Sequence, residues 1–128
     1  MRFLLDTHAF LWFIQGNDNI SDVAKSSVED STHEKFISIA SLWEIAIKVS
    51  IGKLAVEMPM TELVETQVLG NAFGILGILP EHLEELSKLP FHHKDPFDRL
   101  IIAQGLAEDM SVISKDKAFR AYTVRLVW

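Results

Sequence analysis

Arg2-Phe3-Leu4-Leu5-Asp6-Thr7-His8 runs from a short apolar strand into a carboxylate and then into the first residues of a helix. The rest of the chain repeats that alternation. After the strand Arg2–Leu5, further strands are expected at Phe36–Ile39, Ile75–Leu79, Val112–Ser114 and Thr123–Val127. Between them lie amphipathic segments that read as helices at His8–Gln15, Asp22–Ser31, Leu42–Ile51, Thr61–Leu69, Glu81–Lys88 and Phe97–Glu108. Short apolar runs alternating with longer helical ones predict an α/β three-layer sandwich: a central parallel sheet of about five strands with helices on both faces. Ser21 stands where a helix is capped, Pro80 at a first helical position, and Gly52 where a left-handed residue ends the Leu42–Ile51 helix. In the last long helix, Phe97, Leu100, Ile101, Leu106 and Ala107 recur at helical spacing and are expected to face the sheet.

The whole chain sets bounds on this reading. Its 128 residues suit one domain, 1–128, with a core of its own. With 48% hydrophobic residues, six Gly and four Pro, the composition is that of a packed globule. No apolar run nears the roughly 18 residues of a membrane span, and Asp6 interrupts the apolar start too early for a signal peptide. With no cysteine, disulfides and thiolate metal sites are excluded, and a cytoplasmic location is the expectation. A net charge of -6 argues against a simple DNA-binding module, yet it suits a nuclease whose carboxylates supply part of that excess.

Open parallel sheets bind ligands beyond the carboxyl ends of their strands. Four acids map to that end: Asp6 after the first strand, Glu44 early in the helix after the second, Asp98 opening the last long helix, and Asp116 after the fourth strand. Each has an ordinary structural explanation. Asp6 suits a helix N-cap. Ser41-Leu42-Trp43-Glu44 fits a capping box, with Lys48 four residues on for an ion pair. In Asp95-Pro96-Phe97-Asp98, Asp95 can cap and Asp98 can favour the helix dipole, although Asp98 shares its face with Ile101 and Ile102. Asp116, between two lysines, suits a solvated turn.

The conjunction carries more than its parts. Two carboxylates about 5 Å apart repel by roughly 3 kcal/mol at an effective dielectric near 20. Four gathered at one sheet end call for a cation, and oxygen ligands without cysteine point to Mg²⁺ or Mn²⁺. Such a site suits hydrolysis of a phosphodiester by activated water. The histidines offer no rival site: His92 and His93 are adjacent and diverge on a helix, while His8 and His82 lack partners at ligand spacing. They read as ordinary polar residues, with His92 or His93 as candidates to line the cleft.

Several motifs together resemble the PIN-domain ribonucleases, and among them the VapC toxins of type II toxin–antitoxin pairs. These are Leu5-Asp6-Thr7-His8 with Leu11-Trp12, Ser41-Leu42-Trp43-Glu44-Ile45 with Gly52-Lys53-Leu54, Asp95 to Gln104, Ser114-Lys115-Asp116, and the closing Tyr122-Thr123-Val124 and Trp128. They span nearly the whole chain in order. The resemblance implies a PIN-like sandwich and a Mg²⁺- or Mn²⁺-dependent endoribonuclease with Asp6, Glu44, Asp98 and Asp116 as catalytic and metal-binding acids. It also implies an RNA substrate, a homodimer and a cognate antitoxin whose tail blocks the cleft. Thr7 and Ser114 are expected to support the acids with hydroxyls, and Asp95 to be a supporting acid or only a cap. Ser114 stands where such proteins commonly carry threonine.

Two other classes are weighed. A phosphotransfer domain also places an Asp after its first strand, but the dehalogenase pattern wants a second Asp where this chain has His8. The receiver pattern wants an acid after the third strand, where Leu79-Pro80-Glu81 stands. A catalytically silent binding module on the same fold is the other alternative; only a missing acid would reveal it from sequence, and none is missing here. The run Leu11-Trp12-Phe13-Ile14 gives the first helix more apolar surface than one face needs, which supports a dimer.

Overall fold

A computed structural model describes residues 1–128. Strands β1 (Arg2–Leu5), β2 (Glu34–Ser38), β3 (Gly74–Leu76), β4 (Ser111–Ile113) and β5 (Leu126–Val127) form one sheet in the order β3-β2-β1-β4-β5. Every pairing is parallel. β1 is central, which explains why Phe3, Leu4 and Leu5 are all apolar: both faces of this strand are covered.

Phe3 and Leu5 point to one face. There they pack with residues of α1 (Thr7–Gln15), α2 (Asp22–Glu29), α3 (Ile39–Ser50) and α4 (Met60–Leu63), including Phe10, Val28, Ile45 and Leu63. α4 runs on into a π-helical turn, Val64–Leu69, whose Val68 joins the same core. Leu4 points to the other face, where α6 (Pro96–Ala107) contributes Ile101 and Ile102, and Leu86 of α5 (Pro80–Lys88) packs alongside. Each such fully buried aliphatic side chain contributes roughly 1.5–3 kcal/mol. The result is the three-layer sandwich with a five-stranded parallel sheet that the alternation predicts.

The differences from the sequence reading have local causes. α3 begins at Ile39 rather than Leu42, because Ser38 at the end of β2 accepts the Ala40 N–H at 3.1 Å. The expected capping box at Ser41 and Glu44 therefore does not form, and both residues turn inward. β3 and β5 are shorter than expected, as edge strands with one neighbour each. α2 stops at Glu29, where Asp30 takes an extended backbone. The 3₁₀ turn Lys117–Ala121 was not anticipated. Ser21, Pro80 and Gly52 play their expected parts, with Gly52 at φ +76°.

α6 is buried all round from Arg99 to Gly105, so its apolar residues do not mark a single face; Ala107, expected against the sheet, is exposed. Gly105 permits the close approach of helix to sheet: a Cβ there would stand 2.8 Å from Val112 Cγ2. The apolar run of α1 is partly covered within the chain, with Trp12, Phe13 and Ile14 half-buried. Leu11 is buried, Phe13 and Ile14 pack on the core, and Trp12 meets Trp128 edge to face at 5.9 Å between ring centres. The exposed large apolar residues lie elsewhere, notably Trp43, Ile51, Leu83 and Phe91. No helix is long and apolar enough to cross a membrane.

Candidate active site

Asp6 lies at the junction of the central strand and α1, and it is 4% exposed. Its Oδ1 accepts the Ala9 N–H at 2.8 Å, so the capping role is real. Its Oδ2 accepts the Ser114 hydroxyl. Ser114 Oγ also accepts the Asp116 N–H at 3.1 Å, so one hydroxyl ties the ends of β1 and β4 together. Burial raises the Asp6 pKa above the ordinary carboxylate value; the bonds from Ser114 and Ala9 and the nearby His8 work against that rise, and Asp116 adds to it.

Glu44 is also buried, on the inner side of α3. Thr7 Oγ1 donates to its Oε1 at 2.7 Å and lies 2.9 Å from Ser41 Oγ, while Lys48 Nζ holds Oε2 at 2.9 Å. The i,i+4 ion pair read from the sequence is present. Asp98 stands in the first turn of α6, beneath a cap in which Asp95 Oδ1 accepts the N–H groups of Phe97 and Asp98. Asp95 is thus a cap, and it also acts on its neighbour. The Asp98 carboxyl is pushed up to about 7, first by burial and then by the charges of Asp95, Asp6, Asp116 and Glu44.

That last set of interactions places all four expected acids in one electrostatic neighbourhood. Asp116 is the most exposed of the four; its Oδ1 accepts the Ala118 N–H at 2.9 Å and caps the 3₁₀ turn. A cleft of about 230 Å³ opens between Asp6, His8, Trp12, Lys115 and Asp116. Lys115 Nζ lies 5.7 Å from the Trp12 ring centre, so a cation and an aromatic flank the acids. A larger depression of about 440 Å³ lies at the opposite end of the sheet, lined by Met1, Arg2, Glu34, Asp109 and Arg125. Its arginines are already paired with Glu34, Glu108 and Asp109.

The four acids share a field without sharing a ligand point: no three His, Asp or Glu side chains are gathered closely enough to hold a metal ion as they stand. Two of the acids have other contacts. Glu44 is drawn to Lys48, and Asp116 is turned toward its cap. The donor chemistry nonetheless fits a hard divalent cation, being all oxygen, strongly anionic and partly desolvated.

Two other side chains belong to this region. His93, half-buried in the loop before α6, places Nε2 3.6 Å from Asp98 Oδ2 and Nδ1 2.9 Å from the Tyr122 hydroxyl. The sequence reading allowed His92 or His93 to line the cleft; the histidine that lines it is His8, while His93 stands against Asp98. Tyr122 is the one tyrosine in the chain, which is the signal the sequence carries for it. His82 is neither a ligand nor a surface residue. It is fully buried, with Nδ1 accepting the Leu79 N–H at the start of α5 and Nε2 2.7 Å from Glu108.

The PIN domain family model matches residues 3–124. Among solved structures, VapBC2 from Rickettsia felis, bound to a DNA fragment from the promoter, is similar at a TM-score of 0.74 and 16% identity, covering 98% of this chain and 97% of that one. VapBC-1 from nontypeable Haemophilus influenzae follows at 0.70 and 14%, covering 98% and 96%. DNA-bound VapBC from Salmonella typhimurium gives 0.71 and 13%, again covering 98% and 96%. No curated protein sequence matches significantly.

Proposed function

The chain belongs to the PIN domain family, and from that premise we propose that it is a divalent-cation-dependent endoribonuclease of the VapC kind, the toxin of a type II toxin–antitoxin pair. One arrangement supports this reading: Asp6, Glu44, Asp98 and Asp116 all stand at the carboxyl end of the parallel sheet, two of them buried, and their charges together with burial push the Asp98 carboxyl up. Such a concentration of negative charge destabilises the chain unless it serves to hold a cation.

Asp6, Glu44, Asp98 and Asp116 would hold Mg²⁺ or Mn²⁺. When bound, the cation supplies charge neutralisation at the phosphate and a water acidic enough to attack it. The protein's own contribution is placement. Ser114 orients Asp6, Thr7 orients Glu44, and Lys48 occupies the Glu44 oxygen that a cation would compete for. Lys115 and Trp12 border the cleft, where an ammonium and an indole suit a phosphate and a base of single-stranded RNA. The same reading assigns an antitoxin as protein partner and a homodimer as the assembly, with Trp43 of α3 and Ile51 just after it among the apolar residues available to contacts.

The test is RNA cleavage by protein purified free of metal. Cleavage is expected on addition of Mg²⁺ or Mn²⁺ and should disappear in excess EDTA. Cleavage that persists in EDTA sinks the mechanism. Release of phosphate from a small phosphoester, with RNA left intact, would replace it with a phosphatase.

A further inference from the structure

Tyr122 Oη is approached by three donors: the backbone N–H groups of His92 at 3.2 Å and His93 at 3.3 Å, and Arg99 Nη1 at 3.1 Å. Those contacts occupy its acceptor capacity, and its single hydrogen has one acceptor within reach, His93 Nδ1 at 2.9 Å. The network therefore assigns the tautomer: Tyr122 donates, Nδ1 accepts, and the neutral ring carries its hydrogen on Nε2. That Nε2 is buried and has no hydrogen-bond partner, yet it faces Asp98 Oδ2 at 3.6 Å.

The rest of the network fixes where the ring can be. Arg99 is a buried arginine whose guanidinium donates to Pro90 O at 2.9 Å and reaches Leu89 O at 3.4 Å. The Phe91 ring stacks on it with 4.3 Å from Cζ to the ring centre. The loop carrying His93 is thus fastened to α6, the helix that carries Asp98. Packing alone requires no such arrangement, since an unpartnered buried N–H is unfavourable.

We propose that His93 is a positioning residue for Asp98: held as the Nε2–H tautomer by Tyr122, it donates to Asp98 Oδ2 and leaves Oδ1 for the cation. The inference rests on the metal-dependent reading of the site. Closing the gap to the roughly 2.7–2.9 Å of a charge-assisted bond takes a movement of under about 1 Å. A ligating carboxylate held in this way has one oxygen committed to the protein and the other presented to the ion.

The experiment uses the full-length protein without RNA and reads Mn²⁺ binding by calorimetry, with circular dichroism confirming the fold of each variant. His93→Ala is expected to weaken Mn²⁺ binding roughly 10- to 100-fold. His93→Gln, whose amide N–H reaches the Nε2 position, should recover most of the loss. In the metal-free wild type, ¹⁵N imidazole spectra should show His93 protonated at Nε2, a readout that needs no variant. Equal binding by wild type and His93→Ala, failure of His93→Gln to rescue, or an Nδ1–H tautomer would each overturn the His93 assignment while leaving the metal site standing. A wild type that takes up no Mn²⁺ at all overturns the metal-dependent reading itself, and this inference with it.

Discussion

Replacing Asp98 with asparagine should make the metal-free protein more stable and abolish cleavage. The magnitude follows from the carboxyl's displacement from 3.8 to about 7. Three pK units at about 1.4 kcal/mol each give an upper bound near 4 kcal/mol for the strain of the charged form at pH 8. Asparagine loses a favourable anion at the N-terminus of α6, worth about 0.3–1 kcal/mol, and a charged acceptor for His93. A net gain of about 2–3 kcal/mol at pH 8 remains, or roughly 5–10 °C in melting temperature for a chain of this size. Because the folded-state pKa is raised, the native state binds the extra proton, and wild-type stability is lost as pH rises through about 7. Acidifying from pH 8 to 5 should therefore stabilise the wild type, leave Asp98→Asn largely indifferent at this site, and narrow the gap by more than half. The assay is thermal unfolding in EDTA at both pH values. A variant no more stable than wild type at pH 8, with a wild-type curve flat between pH 8 and 5, would refute the reasoning.

Two further substitutions probe neighbouring links. Ser114→Ala removes the hydroxyl that donates to Asp6 and accepts from the Asp116 N–H; the Asp6 pKa should climb further and the acid limb of the pH–rate profile should move to higher pH, while Ser114→Thr should behave as wild type. Asp116→Asn keeps an oxygen for the Ala118 N–H and should lose metal affinity with little change in melting temperature. Asp116→Ala should lose the affinity and, in addition, about 0.5–2 kcal/mol of stability with the cap, measured by urea unfolding.

How much of this was legible in the sequence depends on the range of the interactions involved. β1 could be read because its burial on both faces makes Phe3, Leu4 and Leu5 uniformly apolar, and the helix starts at Ser21, Pro80 and Asp95 because caps are local chemistry. The start of α3 was misread because Ser38 and Ser41 are equivalent as letters. Only the end of β2 decides between them, leaving Ser38 to cap and Ser41 to meet Thr7. The short edge strands were overextended because β-branched residues continue past the point where a partner strand is available. Tyr122 and His93 were hidden for a stronger reason: they sit 29 positions apart, and each is ordinary without the other.

The same locality explains why each acid looked ambiguous, and the structure shows which of them cap: Asp6 and Asp116 do, while Glu44 and Asp98 do not. A carboxylate has two oxygens, and in three of these four acids at least one is committed to the fold. Asp6 uses Oδ1 for Ala9 and Oδ2 for Ser114, Asp116 uses Oδ1 for Ala118, and Glu44 uses Oε1 for Thr7. The capping and hydroxyl bonds orient the groups; the charge, which they do not need, remains to act on neighbours. Helix starts at the carboxyl end of a parallel sheet are where backbone N–H groups and loops converge, so acids suited to capping are already near one another there. A cation site can then form by adding mutual repulsion to residues the fold already wants. Two of the four acids, Glu44 and Asp98, cap nothing, and Lys48 provides a counter-charge inside the chain for Glu44.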